Sequence, residues 1–147
     1  MGLPQRLIEM TEPINQPGFV RRINKAMRFA HDGKFAQAVQ LLRSLAGEFP
    51  KAGSVRCYLA WSLSKLGQNK EALKHSRQAI ILSPKSEYAS LAHYLVLCQN
   101  RKWIEALDEM KRFVMIRPSK VYTKIIKSWE TDSQRPTNKR KRGRKRG

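Results

Sequence analysis

Reactive side chains are sparse in this 147-residue chain. His31, His75 and His93 fall on separate segments, and none has a neighbour at metal-ligand spacing. Cys57 and Cys98 lie far apart, without a CxxC pair, inside apolar stretches where cysteine acts as a small hydrophobe. Glu105, Asp108 and Glu109 form the one acidic cluster, and Lys102, Lys111 and Arg112 stand where a helix brings opposite charges together. A phosphate-binding glycine loop, a nucleophile elbow and a Cys-His pair are all missing. The reading is a non-catalytic protein with no cofactor and no metal.

Charge is the strongest chemical feature. Thirty Lys and Arg oppose eleven Asp and Glu, a formal net charge of +19. Eight of the cations, Arg135, Lys139, Arg140, Lys141, Arg142, Arg144, Lys145 and Arg146, follow one another without an acid. Without them 22 cations still face 11 acids, so the body is itself basic. Such a field favours phosphate-rich or acidic partners. The basic tail fits contact with nucleic acid, an import receptor, an anionic membrane surface or an acidic protein. Its Gly143 and Gly147 favour a flexible arm.

The elements behind these residues repeat. Gly53 to Pro84 reads as a helical pattern, a Leu66-Gly67 break, a second helical pattern and a proline stop. Gly33, Ala38 and Pro50 stand 34 residues before Gly67, Ala72 and Pro84; Ala106 and Pro118 stand 34 after the last two. That period predicts helix-turn-helix units, 19–50, 53–84 and 87–118, none of which can bury its apolar face alone. The first is expected to hold helices over Phe19–His31 and Phe35–Glu48, closed by Asp32-Gly33 and Pro50. Arg101 replaces glycine in the third turn, and Asn100 beside it is expected to supply the left-handed residue. Ser119 is a candidate N-cap for a capping helix over 119–131, with Val121, Tyr122, Ile125, Ile126 and Trp129 on its apolar face. Residues 132–147 read as a disordered basic tail. Residues 1–18 hold three prolines and a short amphipathic piece, Leu3 to Met10, that can pack on the body.

No apolar run approaches the length needed to span a bilayer. The start lacks a signal-peptide layout, and Arg6 breaks the myristoylation pattern after Met1-Gly2. Two unpaired cysteines fit a reduced compartment. The expected location is intracellular and soluble: cytoplasmic, or nuclear in a eukaryote.

The layout resembles the tetratricopeptide repeat (TPR) family. Ala26, Ala38, Ala60, Ala72, Ala79 and Ala106 match its small positions, and Phe29, Phe35, Trp103 and Phe113 its large ones. The resemblance covers Phe19 to Pro118 and implies an all-α, right-handed superhelical solenoid whose concave face is built by the first helix of each pair. In this register that face carries Val20, Ile23, Met27, Cys57, Tyr58, Trp61, Tyr88, Leu91 and Leu95. The chaperone-binding members hold a peptide's terminal carboxylate with Lys and Asn. The matching places here are Ile23, Met27, Tyr58, Tyr88 and Ala92, which cannot do so. The fission members end in a membrane helix, where this chain has its basic tail.

The expected function is therefore a protein-interaction adaptor that takes a peptide or helix in an apolar groove, with the tail as an electrostatic tether. Two alternatives stand beside it: a nucleic-acid-associated structural protein, and a small chaperone for a hydrophobic segment. The groove residues can also pack on one another or under Leu3 to Met10. Neither the partner's identity nor the oligomeric state is legible.

Overall fold

The computed structural model describes residues 12–133. These form seven α-helices and no strand: α1 (Phe19–His31), α2 (Phe35–Glu48), α3 (Gly53–Lys65), α4 (Asn69–Leu82), α5 (Glu87–Gln99), α6 (Trp103–Ile116) and α7 (Lys120–Ser133). None is long and apolar enough to cross a membrane. The tail cations from Arg135 to Arg146 and the Leu3 to Met10 piece lie outside the described residues.

Each of α1 to α5 packs on the next, and α3 also touches both α1 and α5. Two features make this possible. Helices α2, α4 and α6 stop two residues before Pro50, Pro84 and Pro118, because proline has no N–H to continue the ladder. Ala26, Ala38, Ala60, Ala72, Ala79 and Ala106 are all 0% exposed, so neighbouring backbones approach where any larger side chain would clash. Around all of them but Ala79, which packs in a smaller cluster with Cys57 and Ala89, one core gathers Phe19, Ile23, Leu42, Leu45, Val55, Leu59, Leu63, Leu97, Met110 and Phe113.

The turns within the pairs share one geometry. After α1 and α3, Gly33 and Gly67 take φ of 77°. After α5 the residue in that place, Arg101, takes φ of 58°. Asn100 does not supply the left-handed residue, contrary to the expectation; its φ is −87°. The reason is the register: Asp32 and Leu66, in the same place after α1 and α3, take φ of −83° and −84°, and the reversal falls on the next residue in all three turns. Asn100 Nδ2 donates to the carbonyls of Val96 (2.8 Å) and Asn69 (3.4 Å). Arg101 makes the reversal. Its neighbour Lys102 N donates to Leu97 O, as Gln68 N does to Leu63 O and Lys34 N to Phe29 O.

Ion pairs repeat as well. Arg43 meets Glu71 at 2.7 Å, and 34 residues on Arg77 meets Glu105 at 3.4 Å, linking α2 to α4 and α4 to α6. Arg22 of α1 pairs with Glu48 of α2. All of these are solvent-exposed pairs, worth little each.

The third pair closes differently. Tyr94 stands where Ala26 and Ala60 stand in the first two, and its ring reaches Tyr122 (5.6 Å) and Trp129 (6.4 Å) of α7. Ser119 caps α7, its Oγ accepting from Tyr122 N at 3.2 Å. Beneath α7 lies a buried polar cluster. Ser90 Oγ is 2.6 Å from both Glu109 Oε2 and Tyr122 Oη, and Arg112 grips both Glu109 oxygens at 2.7 and 2.8 Å. Burial pushes the Tyr122 phenol well above its usual range, so it stays protonated. Trp103, read from sequence as a packing residue, is 55% exposed. Phe35 occupies its place in the first pair and is covered by Trp61; the residue at that offset from Trp103 is Trp129, which turns to Tyr94 instead.

Two stability measurements check this description. In chemical denaturation, Arg101→Gly is expected to gain about 0.5–1 kcal/mol by relieving the left-handed conformation, and Gly67→Ala to lose about 1 kcal/mol or more. Glu109→Ala is expected to cost about 2 kcal/mol or more, since it orphans buried partners. Glu71→Ala, at an exposed pair, is expected to cost under about 1 kcal/mol.

Candidate functional site: a groove on the first helices

Because α3 lies against both α1 and α5, the outward residues of these three helices share one surface. Three hollows line it. One is bounded by Val20, Arg21, Asn24, Met27, Arg28 and His31 of α1. A second, of about 230 Å³, lies among His31, Cys57, Tyr58, Trp61, Tyr88, Ala92 and Leu95. The third, of about 470 Å³, runs from Val20, Ile23 and Met27 past Cys57 and Tyr58 to Tyr88, with Glu12 and Ile14 on its wall. Shared walls join them: Val20 and Met27 link the first to the third, His31 the first to the second, and Tyr58 and Tyr88 the second to the third. They form one continuous groove.

Eight of the nine residues expected to meet here do line it: Val20, Ile23, Met27, Cys57, Tyr58, Trp61, Tyr88 and Leu95. Their availability differs. Ile23 and Cys57 are buried floor, while Val20 (45%), Leu95 (52%) and Tyr88 (80%) stand out to solvent. Leu91 packs on the core and is not in these linings.

Trp61 has two faces of use. Its ring meets Phe35 edge-on at 5.5 Å and Tyr58 at 6.2 Å, and His31 lies 5.6 Å away. These contacts fix the aromatic wall in place before any ligand arrives, which reduces the ordering cost of binding. Tyr88 touches no other ring within the described residues and is 80% exposed.

The groove offers little reactivity. Burial, with the nearby Glu12 charge, pushes the Cys57 thiol up to about 12, so it remains a neutral thiol and not a nucleophile. Burial raises Tyr58 too, with smaller contributions from Tyr88 and Cys57. His75 and His93 lie elsewhere. His75 Nδ1 sits 2.9 Å from Arg56 Nη1, and His93 Nδ1 is 2.8 Å from Ser76 Oγ. Burial lowers both imidazoles, which keeps them neutral links between helices. Among the described residues no three His, Cys, Asp or Glu side chains gather as a metal site.

Two parts of the site escaped the sequence reading. Glu12 accepts from Ser54 N and Ser54 Oγ, each at 2.6 Å, and so pins residues 12–18 against the start of α3. Desolvation raises its pKa against the lowering effect of those two bonds. Next to it Gly53 makes room for Ser83, with whose Oγ a Cβ there would collide; Glu12 Oε1 would stand at an ordinary 3.5 Å. Glu12 precedes the repeats, so periodicity carries no information about it. Arg21 and Arg28 also line the groove. Their spacing of seven places both on one side of α1, a signal that was present but hidden by the general excess of cations.

A scan against protein-family models finds no match, and a search of the curated proteins finds none either.

Two substitutions separate packing from availability. Trp61→Ala is expected to lower unfolding free energy by about 2–3 kcal/mol through lost core contacts. Tyr88→Ala is expected to stay within about 0.5 kcal/mol of the parent. Thermal or chemical melts of the two variants check this.

Proposed function

We propose that this chain is a non-catalytic interaction adaptor of the TPR type: three helix pairs wound as a right-handed solenoid, with α7 as its cap. It grips a partner segment, extended or helical, in the groove of its first helices. The observation that carries this reading is the pairing of a rigid aromatic wall with exposed residues over one hollow. Tyr88 and Leu95 expose large apolar surfaces where Trp61 and Tyr58 are already held. Exposed apolar area bordering a preformed hollow favours ligand burial. The 34-residue recurrence of the left-handed turns, the Arg–Glu pairs and the buried alanines supports the repeat assignment.

The basic tail would act as a second, electrostatic contact, with nucleic acid or an acidic protein. It would raise the effective concentration of whatever the groove holds. The setting proposed with it is inside cells: the cytoplasm, or the nucleus in a eukaryote. A second reading is a nucleic-acid-associated structural protein, favoured by the charge of the body: 22 cations against 11 acids before the tail begins.

A pull-down with the full chain and with a form lacking 135–147, each with and without nuclease, separates the two. The adaptor reading expects protein partners that survive nuclease and tail deletion, and that are lost from Tyr88→Ala/Leu95→Ala. Recovery of nucleic acid alone, unaffected by that double variant, supports the structural-protein reading and overturns the adaptor.

A further inference from the structure

We propose that the groove selects an acidic segment carrying an apolar anchor. This rests on the adaptor reading and adds the chemistry of the ligand. The groove is not uniform along its length. At the α1 end it is bounded by Arg21, Asn24 and Arg28, all exposed. At the α5 end it is bounded by Tyr58, Trp61, Tyr88, Ala92 and Leu95.

Among the described residues the two arginines form no ion pair. Arg22, between them and pointing to α2, pairs with Glu48; no carboxylate among the described residues lies within ion-pair distance of Arg21 or Arg28. Of the other described acids, Glu71 pairs with Arg43, Glu105 with Arg77 and Lys102, and Glu109 with Arg112; Asp32, at the end of α1, forms no ion pair with Arg28. One carboxylate does line the groove. It is Glu12, and Ser54 occupies one oxygen with its N–H and the other with its hydroxyl. Glu12 lines the third hollow but neither the arginine-lined one nor the aromatic one.

Charge and shape together define the ligand. Arg21 and Arg28 stand two helical turns apart, about 10 Å along α1. Carboxylates at comparable spacing, on a helix or an extended chain, would meet both guanidinium groups. His31, shared by the arginine-lined and aromatic hollows, marks where the acidic stretch gives way to the anchor. A Trp, Phe or Leu side chain fits the 230 Å³ hollow between Tyr58, Trp61 and Tyr88. A segment rich in Lys or Arg would bring like charges to Arg21 and Arg28 and bind poorly.

The test is a selection of random twelve-residue displayed peptides on the full chain at about physiological salt, where long-range surface attraction is screened. Arg21→Glu/Arg28→Glu and Tyr88→Ala/Leu95→Ala run in parallel. All four positions are exposed or lie outside the core, and melting curves confirm that the variants fold. The expected peptides combine Asp or Glu with a Trp, Phe or Leu. Resynthesised, they bind the Arg21→Glu/Arg28→Glu protein about tenfold more weakly or worse, chiefly through slower association. They lose still more on Tyr88→Ala/Leu95→Ala.

Apolar peptides without acidic bias, bound equally by the arginine variant, would sink the charge selection and leave the adaptor standing. Acidic peptides bound equally by both variants belong to the basic tail and overturn the proposal. Peptides absent, or present equally on all three proteins, overturn the adaptor reading too. A twelve-mer of oligodeoxythymidine that binds the parent and fails on both variants assigns the groove to single-stranded nucleic acid, again overturning it.

Discussion

Everything in this fold depends on how closely consecutive helices approach. At Ala26, Ala38, Ala60, Ala72, Ala79 and Ala106 nothing larger than a methyl group separates a helix from its neighbour. Dispersion contacts and apolar burial per residue are greatest where backbones come nearest, and a cavity or a clash follows from any change of volume. Close approach also has a geometric consequence. It sets α1, α3 and α5 near enough for α3 to touch both of the others, and so brings residues more than 60 positions apart, Val20 and Tyr88, to one hollow. The groove is a by-product of the packing, and its chemistry is set by residues that the packing does not constrain.

The last pair shows what happens when the next neighbour is absent. Position 94 carries tyrosine where 26 and 60 carry alanine, and its ring meets Tyr122 of α7 edge-on at 5.6 Å. A buried cluster replaces the apolar interface: Ser90, Glu109, Arg112 and Tyr122 satisfy one another. A buried carboxylate is expensive unless fully paired, and bidentate Arg112 with the Ser90 hydroxyl provides that pairing. Arg112 also donates to Pro84 O at 2.9 Å, tying α6 to the turn between α4 and α5. Apolar side chains pack in many registers, whereas this cluster is satisfied in one. It therefore fixes the seating of α7 more narrowly than Ile125, Ile126 and Trp129 do alone.

Helix limits and the small positions were legible in the sequence, because proline stops and the 34-residue period are local or strictly repeated signals. Glycine at 33 and 67 announced its own conformation. Arg101 did not, since arginine has no preference for the left-handed region; the register it shares with Gly33 and Gly67 puts the reversal there, while Asp32, Leu66 and Asn100 before them stay right-handed. Of the groove, the apolar members followed from register, except Leu91, whose rotation about α5 turns it to the core. Residue identity alone does not separate floor from rim: Cys57 and Tyr88 read alike as groove members, yet one is buried and the other 80% exposed. Glu12 was illegible, being outside the period and placed by a contact with Ser54 that spans 42 residues.

Charge partition is the link between packing and recognition. Repeated Arg–Glu pairs lie on the second helices, where Arg43–Glu71 and Arg77–Glu105 join α2, α4 and α6. Each such pair contributes little to stability, but each removes a carboxylate from the pool that could balance the first helices. With ten acids among residues 12–133 and more than twice as many cations, the consequence falls on surfaces that carry none of their own. The α1 side of the groove is such a surface. Among the described residues its arginines have no ion-pair partner, so a ligand that neutralises them breaks no salt bridge there and displaces water and loosely held ions. An arginine already engaged in a salt bridge would first have to break it. The ladder on the second helices thus leaves the first helices electrostatically ready, and the repeat that builds the groove also determines which sign of charge it attracts.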